Sequence, residues 1–230
     1  MSRCFVKLFR IVEDYTESKV ISKVYKHNAF ISYSRQNELF ASKLEQALEG
    51  YRPPKDLIVP QGFLDVFRDR VDFTAGEYHQ NLNKELKDSA KLIVICSPEA
   101  RKSQYVDDEI MRFAQIRGTD HIIPILFSGL PNNEAIPGQE EEMAFPSALC
   151  KVMEIPLAAN YLGFDLQRGK VNKGIFIDAW YTILANIYDV NRSEIEQRDK
   201  KRRIRSRRII HSALGGSIVV LSIFLGARQE

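Results

Sequence analysis

Residues 92–96 read LIVIC, an apolar run that Ser97 and Pro98 bring to an end. A short apolar run bounded by turn residues is typical of a strand that is buried on both faces of a parallel sheet. Three further runs of this kind lie at 29–33, 63–67 and 122–127. Because segments with helical periodicity separate the runs, the chain is predicted to form an α/β domain with helices on both faces of a doubly wound parallel sheet.

The helical segments have apolar residues at a spacing of three and four. They lie at about 40–48, 78–86, 105–116 and 174–190. A fifth strand is expected near 152–157, and residues 1–25 form an N-terminal extension to which the pattern assigns no structure. We therefore expect a domain core at 26–157, followed by the C-terminal part of the same globular domain at 158–190.

The C-terminal residues differ from the rest in composition. Residues 209–227 carry no charge when His211 is neutral, and as a helix they would span about 28 Å, which predicts a single transmembrane helix. Residues 191–208 contain nine Lys or Arg against three Asp or Glu and are interpreted as a basic juxtamembrane linker. Since positive charge stays on the cytoplasmic side, the domain is expected there. Nucleic-acid binding by this cluster is the alternative, because runs of Lys and Arg bind phosphates, but it leaves the apolar run unexplained.

Several classes of protein do not fit the sequence. The net charge is only +3 and the basic residues are concentrated in one segment, so no nucleic-acid partner is expected. Three cysteines and four histidines lack the spacing of a disulfide framework or a metal site. No GxGxxG motif, P-loop or nucleophile elbow is present, and no signal peptide is predicted. We expect no metal and a reducing cytosolic environment.

One carboxylate in the stretch SQYVDDEIMRF, residues 103–113, is predicted to point inward. On a helical wheel, Val106, Ile110 and Phe113 form an apolar stripe, and Glu109 projects into it. Its neighbours Asp107 and Asp108 project about 100° and 200° away, toward solvent. Because a buried carboxylate without partners is costly, Glu109 must either have a polar neighbour or face a cleft that admits a ligand.

Polar residues follow the first three strands at the positions where a parallel sheet binds ligands. They occupy Ser32–Arg35, Arg68–Gly76 and Ser97–Glu99. In an open parallel sheet, ligands bind outside the carboxyl ends of the strands, so these three segments should meet at one rim.

Four segments, in this order, resemble the successive motifs of Toll/interleukin-1 receptor (TIR) domains. They are Phe30–Ser34, Asp65–Asp69 with the loop to Gly76, Leu92–Pro98 and Tyr105–Ile110. The resemblance covers about 26–157. The Arg-Asp-Arg element, the basic linker and the apolar segment together resemble bacterial TIR proteins that are anchored in the membrane.

The resemblance implies a flavodoxin-like fold and, in enzymatic members, cleavage of NAD between nicotinamide and ribose. NAD is then the substrate, no cofactor is needed, and the products are nicotinamide and ADP-ribose or a cyclic ADP-ribose. The catalytic role carries over to Glu109, in agreement with the helical wheel. Self-association through TIR–TIR contacts and a role in antiviral defence or cell-death signalling are further implications. Residues that could contact NAD are Ser32, Tyr33, Arg35, Arg68, Asp69, Arg70, Phe73 and Tyr105.

Two alternatives stay open at this level. The chain could be a non-catalytic TIR scaffold that only assembles with other TIR domains. Glu109 could also be a structural ion-pair partner of Arg68 or Arg35. Asp107 and Asp108 are interpreted as a solvated helix face.

Overall fold

The computed structural model describes residues 25–68, 75–154 and 156–205, without the side chains of residues 75–80. These residues form a parallel five-stranded sheet with the strand order β2-β1-β3-β4-β5. This arrangement confirms the predicted α/β class, and the order is that of a flavodoxin-like sheet. The strands are β1 (His27–Ser32), β2 (Val66–Arg68), β3 (Ser89–Cys96), β4 (Ile122–Leu126) and β5 (Ala159–Asn160).

Helices connect the strands and cover both faces of the sheet. In chain order they are α1 (Glu38–Glu49), α2 (Ala75–Asp88), α3 (Pro98–Arg101), α4 (Gln104–Arg117), α5 (Ser147–Val152), α6 (Ile177–Tyr188) and α7, residues 192–205.

The alternation of side chains along the strands divides the core into two layers. Ile31 and Ile93 belong to the layer that contains buried residues of α1, α6 and α7. Phe30 and Leu92 belong to the opposite layer, which contains residues of α2, α4 and α5. Because successive strand residues point to opposite faces, Ser32 shares the α4 face with Phe30.

Two strand predictions were wrong in position. The segment 63–67 begins too early, because Phe63 is 77% exposed and β2 starts only at Val66. The fifth strand does not lie at 152–157, since Val152 ends α5 and the pairing with β4 occurs at Ala159–Asn160. The sheet therefore extends past the predicted core boundary at residue 157.

The segment assigned to a basic linker is helical over residues 192–205 and packs on the domain. Ile195 and Asp199 lie one turn apart and are both fully buried. The Tyr181 hydroxyl donates a hydrogen bond of 2.9 Å to Asp199 Oδ2, which also accepts one of 2.7 Å from Arg203 Nε. At least one basic residue of this segment, Arg203, therefore pairs with a buried carboxylate of the domain.

The predicted transmembrane helix at 209–227 lies outside the described residues, as do residues 1–24 of the predicted extension at 1–25. Among the residues that the structure describes, none of the helices is both long enough and apolar enough to cross a membrane.

Candidate active site

The strand order reverses between β1 and β3, and the carboxyl ends of these two strands form the switch point at which flavodoxin-like sheets bind ligands. Ser32 ends β1, and Ser97 follows β3 directly. The Ser97 hydroxyl donates a hydrogen bond of 2.7 Å to Asn37 Oδ1 and accepts one of 3.0 Å from the Ala100 amide. The first of these bonds joins the segments that follow the two strands.

Asn37 was missed in the sequence, because a single polar residue in a loop carries no periodic signal. Ser97 was noted at the rim, and a serine before proline is a usual helix N-cap, which is its position at the start of α3.

The helix α4 carries the candidate catalytic residue and has clear boundaries. Its N-cap Ser103 accepts a hydrogen bond of 3.4 Å from the Val106 amide. After Arg117 the helix is closed by the C-cap residue Gly118, whose φ of 86° favours glycine. Val106, Ile110 and Phe113 are buried against the sheet, which confirms the predicted apolar stripe. The stripe fixes the rotation of α4 about its axis.

Glu109 points inward, as the helical wheel predicts, and is 6% exposed. Its Oε2 accepts a hydrogen bond of 2.5 Å from the Ser32 hydroxyl at the end of β1. The contact is possible because Ser32 lies on the α4 face of the sheet. It brings together two predicted site residues that are 77 positions apart in sequence.

The interpretation of Asp107 and Asp108 as a solvated helix face was wrong for Asp107, whereas Asp108 is partly exposed. Asp107 Oδ1 accepts a hydrogen bond of 2.8 Å from the Ala148 amide at the start of α5. Asp108 Oδ2 pairs with Arg112 Nε at 2.7 Å, one turn along α4. Asp107 therefore satisfies an amide in the first turn of α5, while Asp108 makes a partly exposed pair within one helix.

Arg68 lies on the opposite face of the sheet from Glu109. Val66, two residues earlier on β2, packs in the α1 layer, and Arg68 points the same way. Its Nε lies 3.1 Å from Glu45 Oε2, and its Nη1 lies 3.1 Å from Glu38 Oε1. The carboxylates that Arg68 contacts among the described residues thus belong to α1, and the alternative of a Glu109–Arg68 ion pair is wrong.

Arg68 also forms a hydrogen bond with the hydroxyl of Tyr33. Arg68 Nη1 donates a hydrogen bond of 3.1 Å to Tyr33 Oη. Burial by itself would lower the pKa of Arg68, but the hydrogen bonds with Tyr33, Glu38 and Glu45 outweigh it and raise the pKa. Arg68 therefore stays charged and holds Tyr33 in a half-buried position at the rim.

The remaining predicted site residues differ in their positions. Arg35 is exposed in the short 3-10 turn Arg35–Asn37 after β1. Tyr105 is 66% exposed and lies one helical turn before Glu109 on the same side of α4. Asp69, Arg70 and Phe73 lie outside the described residues.

Glu109 supplies a buried carboxylate beside this rim. No group of three or more His, Cys, Asp or Glu side chains within the described ranges is arranged to hold a metal ion. Cys96, at the end of β3, is fully buried, and burial raises the pKa of its thiol, which suits a small apolar residue better than a nucleophile.

The fold and the site together define a doubly wound α/β domain with a buried carboxylate beside its switch point. A family model described as the TIR domain matches residues 29–145, half of the chain, and the chain belongs to this family.

Two of the proteins to which the chain is similar are a bacterial enzyme and a receptor domain. The chain is 25% identical over 212 residues to a protein of Actinoplanes sp. named NAD(+) hydrolase ApTIR, in an alignment that covers 87% of this chain and 28% of that protein. The chain thus spans little more than a quarter of the length of this relative. The crystal structure of the TIR domain of the Toll-related receptor TRR-2 from Hydra magnipapillata has 20% sequence identity and a TM-score of 0.33, covering 53% of this chain and 83% of that one.

Proposed function

We propose that this chain is a TIR-domain NAD glycohydrolase and that Glu109 is its catalytic residue. The observation that carries the proposal is the buried Glu109 carboxylate, held by Ser32 at the carboxyl end of β1. A carboxylate taken out of water costs folding energy, so its position beside a ligand-binding rim is best explained by a function. The name of the Actinoplanes relative supports NAD as the substrate.

The chemistry needs one well-placed carboxylate. The bond between C1′ of the ribose and the pyridinium nitrogen of NAD breaks, and its electron pair leaves with the nitrogen, so that nicotinamide departs as a neutral molecule. Positive charge develops on the ribose, and the Glu109 carboxylate stabilises this oxocarbenium-like state. Water then bonds to C1′ and loses a proton, which gives ADP-ribose. Capture by a nucleophile within the same molecule would give a cyclic ADP-ribose instead.

The residues at the rim take different parts in substrate binding. Arg35 is exposed and offers charge-assisted hydrogen bonds to the diphosphate, and Tyr105 offers a ring for stacking beside Glu109. Asp69, Arg70 and Phe73 lie in the sequence between β2 and α2, and we propose that this segment completes the site. Arg68, which is buried against Glu38 and Glu45, supports the rim through Tyr33 instead of binding phosphate.

Assembly and membrane anchoring are further parts of the proposal. Self-association through TIR–TIR contacts would complete the site between neighbouring subunits, and the segment at 69–76, whose last two residues begin α2, is the proposed contact. The apolar segment 209–227 would anchor the chain in a membrane with the domain on the cytoplasmic side, where confinement raises the local concentration. Such a protein would act in antiviral defence or cell-death signalling.

The direct test is to incubate the purified full chain with NAD, over a range of protein concentrations, and to separate the products by chromatography. For each nicotinamide released, one molecule of ADP-ribose or of a cyclic ADP-ribose should appear. If NAD stays intact even when the protein is concentrated and clustered on vesicles, the glycohydrolase proposal fails and a scaffold role replaces it.

A further inference from the structure

Ser32 is almost completely buried, which leaves little of its surface to contact a substrate. It is 1% exposed, at the last position of β1, and its hydroxyl donates to Glu109 Oε2 at 2.5 Å. The strand alternation explains this direction, because Phe30 on the same face is buried in the α4 layer. The hydroxyl therefore faces the carboxylate of α4 and not the open rim.

A hydrogen bond of this length to a carboxylate oxygen is of the short, charge-assisted kind. It has two consequences for Glu109. It selects one orientation of a side chain that has three rotatable bonds, and it favours the ionised carboxylate over the neutral acid, which would make a weaker bond with the same donor.

We propose that Ser32 is a positioning residue for Glu109: it holds the carboxylate oriented and ionised toward the reacting ribose and does not itself bind NAD. This inference rests on the proposed glycohydrolase function. It also revises the sequence-based prediction, which placed Ser32 among the residues that contact the substrate.

The two roles of Ser32 predict different kinetics. Loss of a positioning residue lowers kcat and leaves KM nearly unchanged, whereas loss of a substrate contact that is made equally in the ground state raises KM. For Ser32→Ala we expect kcat to fall about ten- to hundredfold, the range for a hydrogen bond to a charged group, with KM within about twofold of wild type. Ser32→Cys, which has a similar size and a weak donor, should fall between wild type and Ser32→Ala.

The pH profile supplies a readout that a merely structural role would not change. Without the Ser32 donor, the carboxylate of Glu109 is protonated more easily, so the acid limb of the kcat profile should move to higher pH in Ser32→Ala. The combination Ser32→Ala with Glu109→Gln should be no slower than Glu109→Gln alone, because both changes act on one group.

Ser89→Ala is the matched control. Ser89 is a fully buried strand serine at the opposite end of the sheet, where its hydroxyl donates to the Glu85 carbonyl at 2.7 Å. Melting curves of Ser89→Ala report how the loss of a buried hydroxyl affects folding. This variant should leave kcat, KM and the acid limb of the kcat profile unchanged.

The outcomes separate this inference from the proposed function. If the wild-type full chain does not cleave NAD, the function fails and the inference falls with it. If Glu109→Gln abolishes cleavage but folded Ser32→Ala keeps kcat and the acid limb, or raises KM alone, Ser32 is not a positioning residue although the function stands. Should Ser32→Ala fail to fold, Ser32→Cys decides by the same two readouts.

Discussion

Replacing Glu109 by Gln removes one charge from the proposed site with little change in shape. The side chain keeps its size, and its amide oxygen can still accept the Ser32 hydrogen bond of 2.5 Å. What is lost is the negative charge that would face a developing ribosyl cation. Removing one such electrostatic stabiliser costs roughly 2.7–4 kcal/mol in the transition state, so NAD cleavage should fall about a hundredfold or more.

Stability should change far less than activity. The Ser32 bond changes from a charge-assisted to a neutral one, which loses on the order of 1 kcal/mol. Relief from burying a carboxylate that is 6% exposed acts in the opposite direction. We expect a net change within about 1 kcal/mol, which for a protein of this size corresponds to a melting shift of about 2–4 °C.

Two variants serve as controls, one at a glutamate and one at an aspartate. Glu45 is also buried, and it pairs with Arg68 at 3.1 Å. Glu45→Gln should therefore cost about 2 kcal/mol, below the 3–5 kcal/mol for removing one partner of a buried pair, because the amide still accepts a bond. Asp108→Asn breaks only a partly exposed pair on α4 and should leave turnover within about threefold. Asp107 is unsuitable as a control because it binds the Ala148 amide.

The assay is NAD consumption by the full chain at one fixed concentration, with melting curves for each variant. Full NAD consumption by Glu109→Gln, together with a melting temperature lowered by ten degrees or so, would refute the reasoning. Glu109 would then be a structural residue, and the TIR scaffold would be the better interpretation.

Three further predictions concern stability, assembly and location. Tyr181→Phe should lower the free energy of unfolding, measured by urea denaturation, by about 1.5–3 kcal/mol, because the Tyr181 hydroxyl donates a hydrogen bond to buried Asp199. Tyr188→Phe should leave the free energy of unfolding unchanged, since the buried Tyr188 hydroxyl has no hydrogen-bond partner among the described residues. NAD consumption per molecule should rise with protein concentration; an equal rate in dilute, monomeric protein would exclude an assembly requirement. The full chain should sediment with membranes, whereas a chain that ends at Arg205 should stay in the supernatant. A full chain that stays in the supernatant would contradict the predicted anchor.

The end point at Arg205 follows from the structure. A chain cut before the run of basic residues that starts at Lys200 would lack Arg202 and Arg203, which both pair with buried Asp199. Asp199 would keep the hydrogen bond from Tyr181 but lose these two cationic partners, and a buried carboxylate without them would destabilise the domain and obscure any result on location. Composition alone identifies a cluster of basic residues but does not show which of them have partners.

Structural features that depend on a single strand or helix could be predicted from the sequence. Burial on both faces requires a continuous apolar run, so β3 and β4 were found at 92–96 and 122–127, within a few residues of their observed bounds. The period of 3.6 residues places Glu109 in the stripe of Val106 and Ile110, and this local geometry holds whatever α4 packs against.

The position of Arg68 required the tertiary structure. Its sequence neighbours place it near the rim, but the face to which it points depends on the register of β2, in which Arg68 pairs with Ile31. A shift of one residue sends a side chain to the other face of a sheet, and the predicted strand at 63–67 leaves that register undefined. The pairing with Glu38 and Glu45 on α1 is a consequence of the register.

Contacts between distant segments were likewise decided only by packing. Ser32 lies 77 residues before Glu109, and Asp107 binds an amide 41 residues later. Periodicity orients a side chain relative to its own helix or strand and carries no information about which element lies opposite. The inward direction of Glu109 is therefore a property of the sequence, while its bond to Ser32, and with it the geometry of the proposed catalytic group, exists only because α4 packs against the carboxyl end of β1.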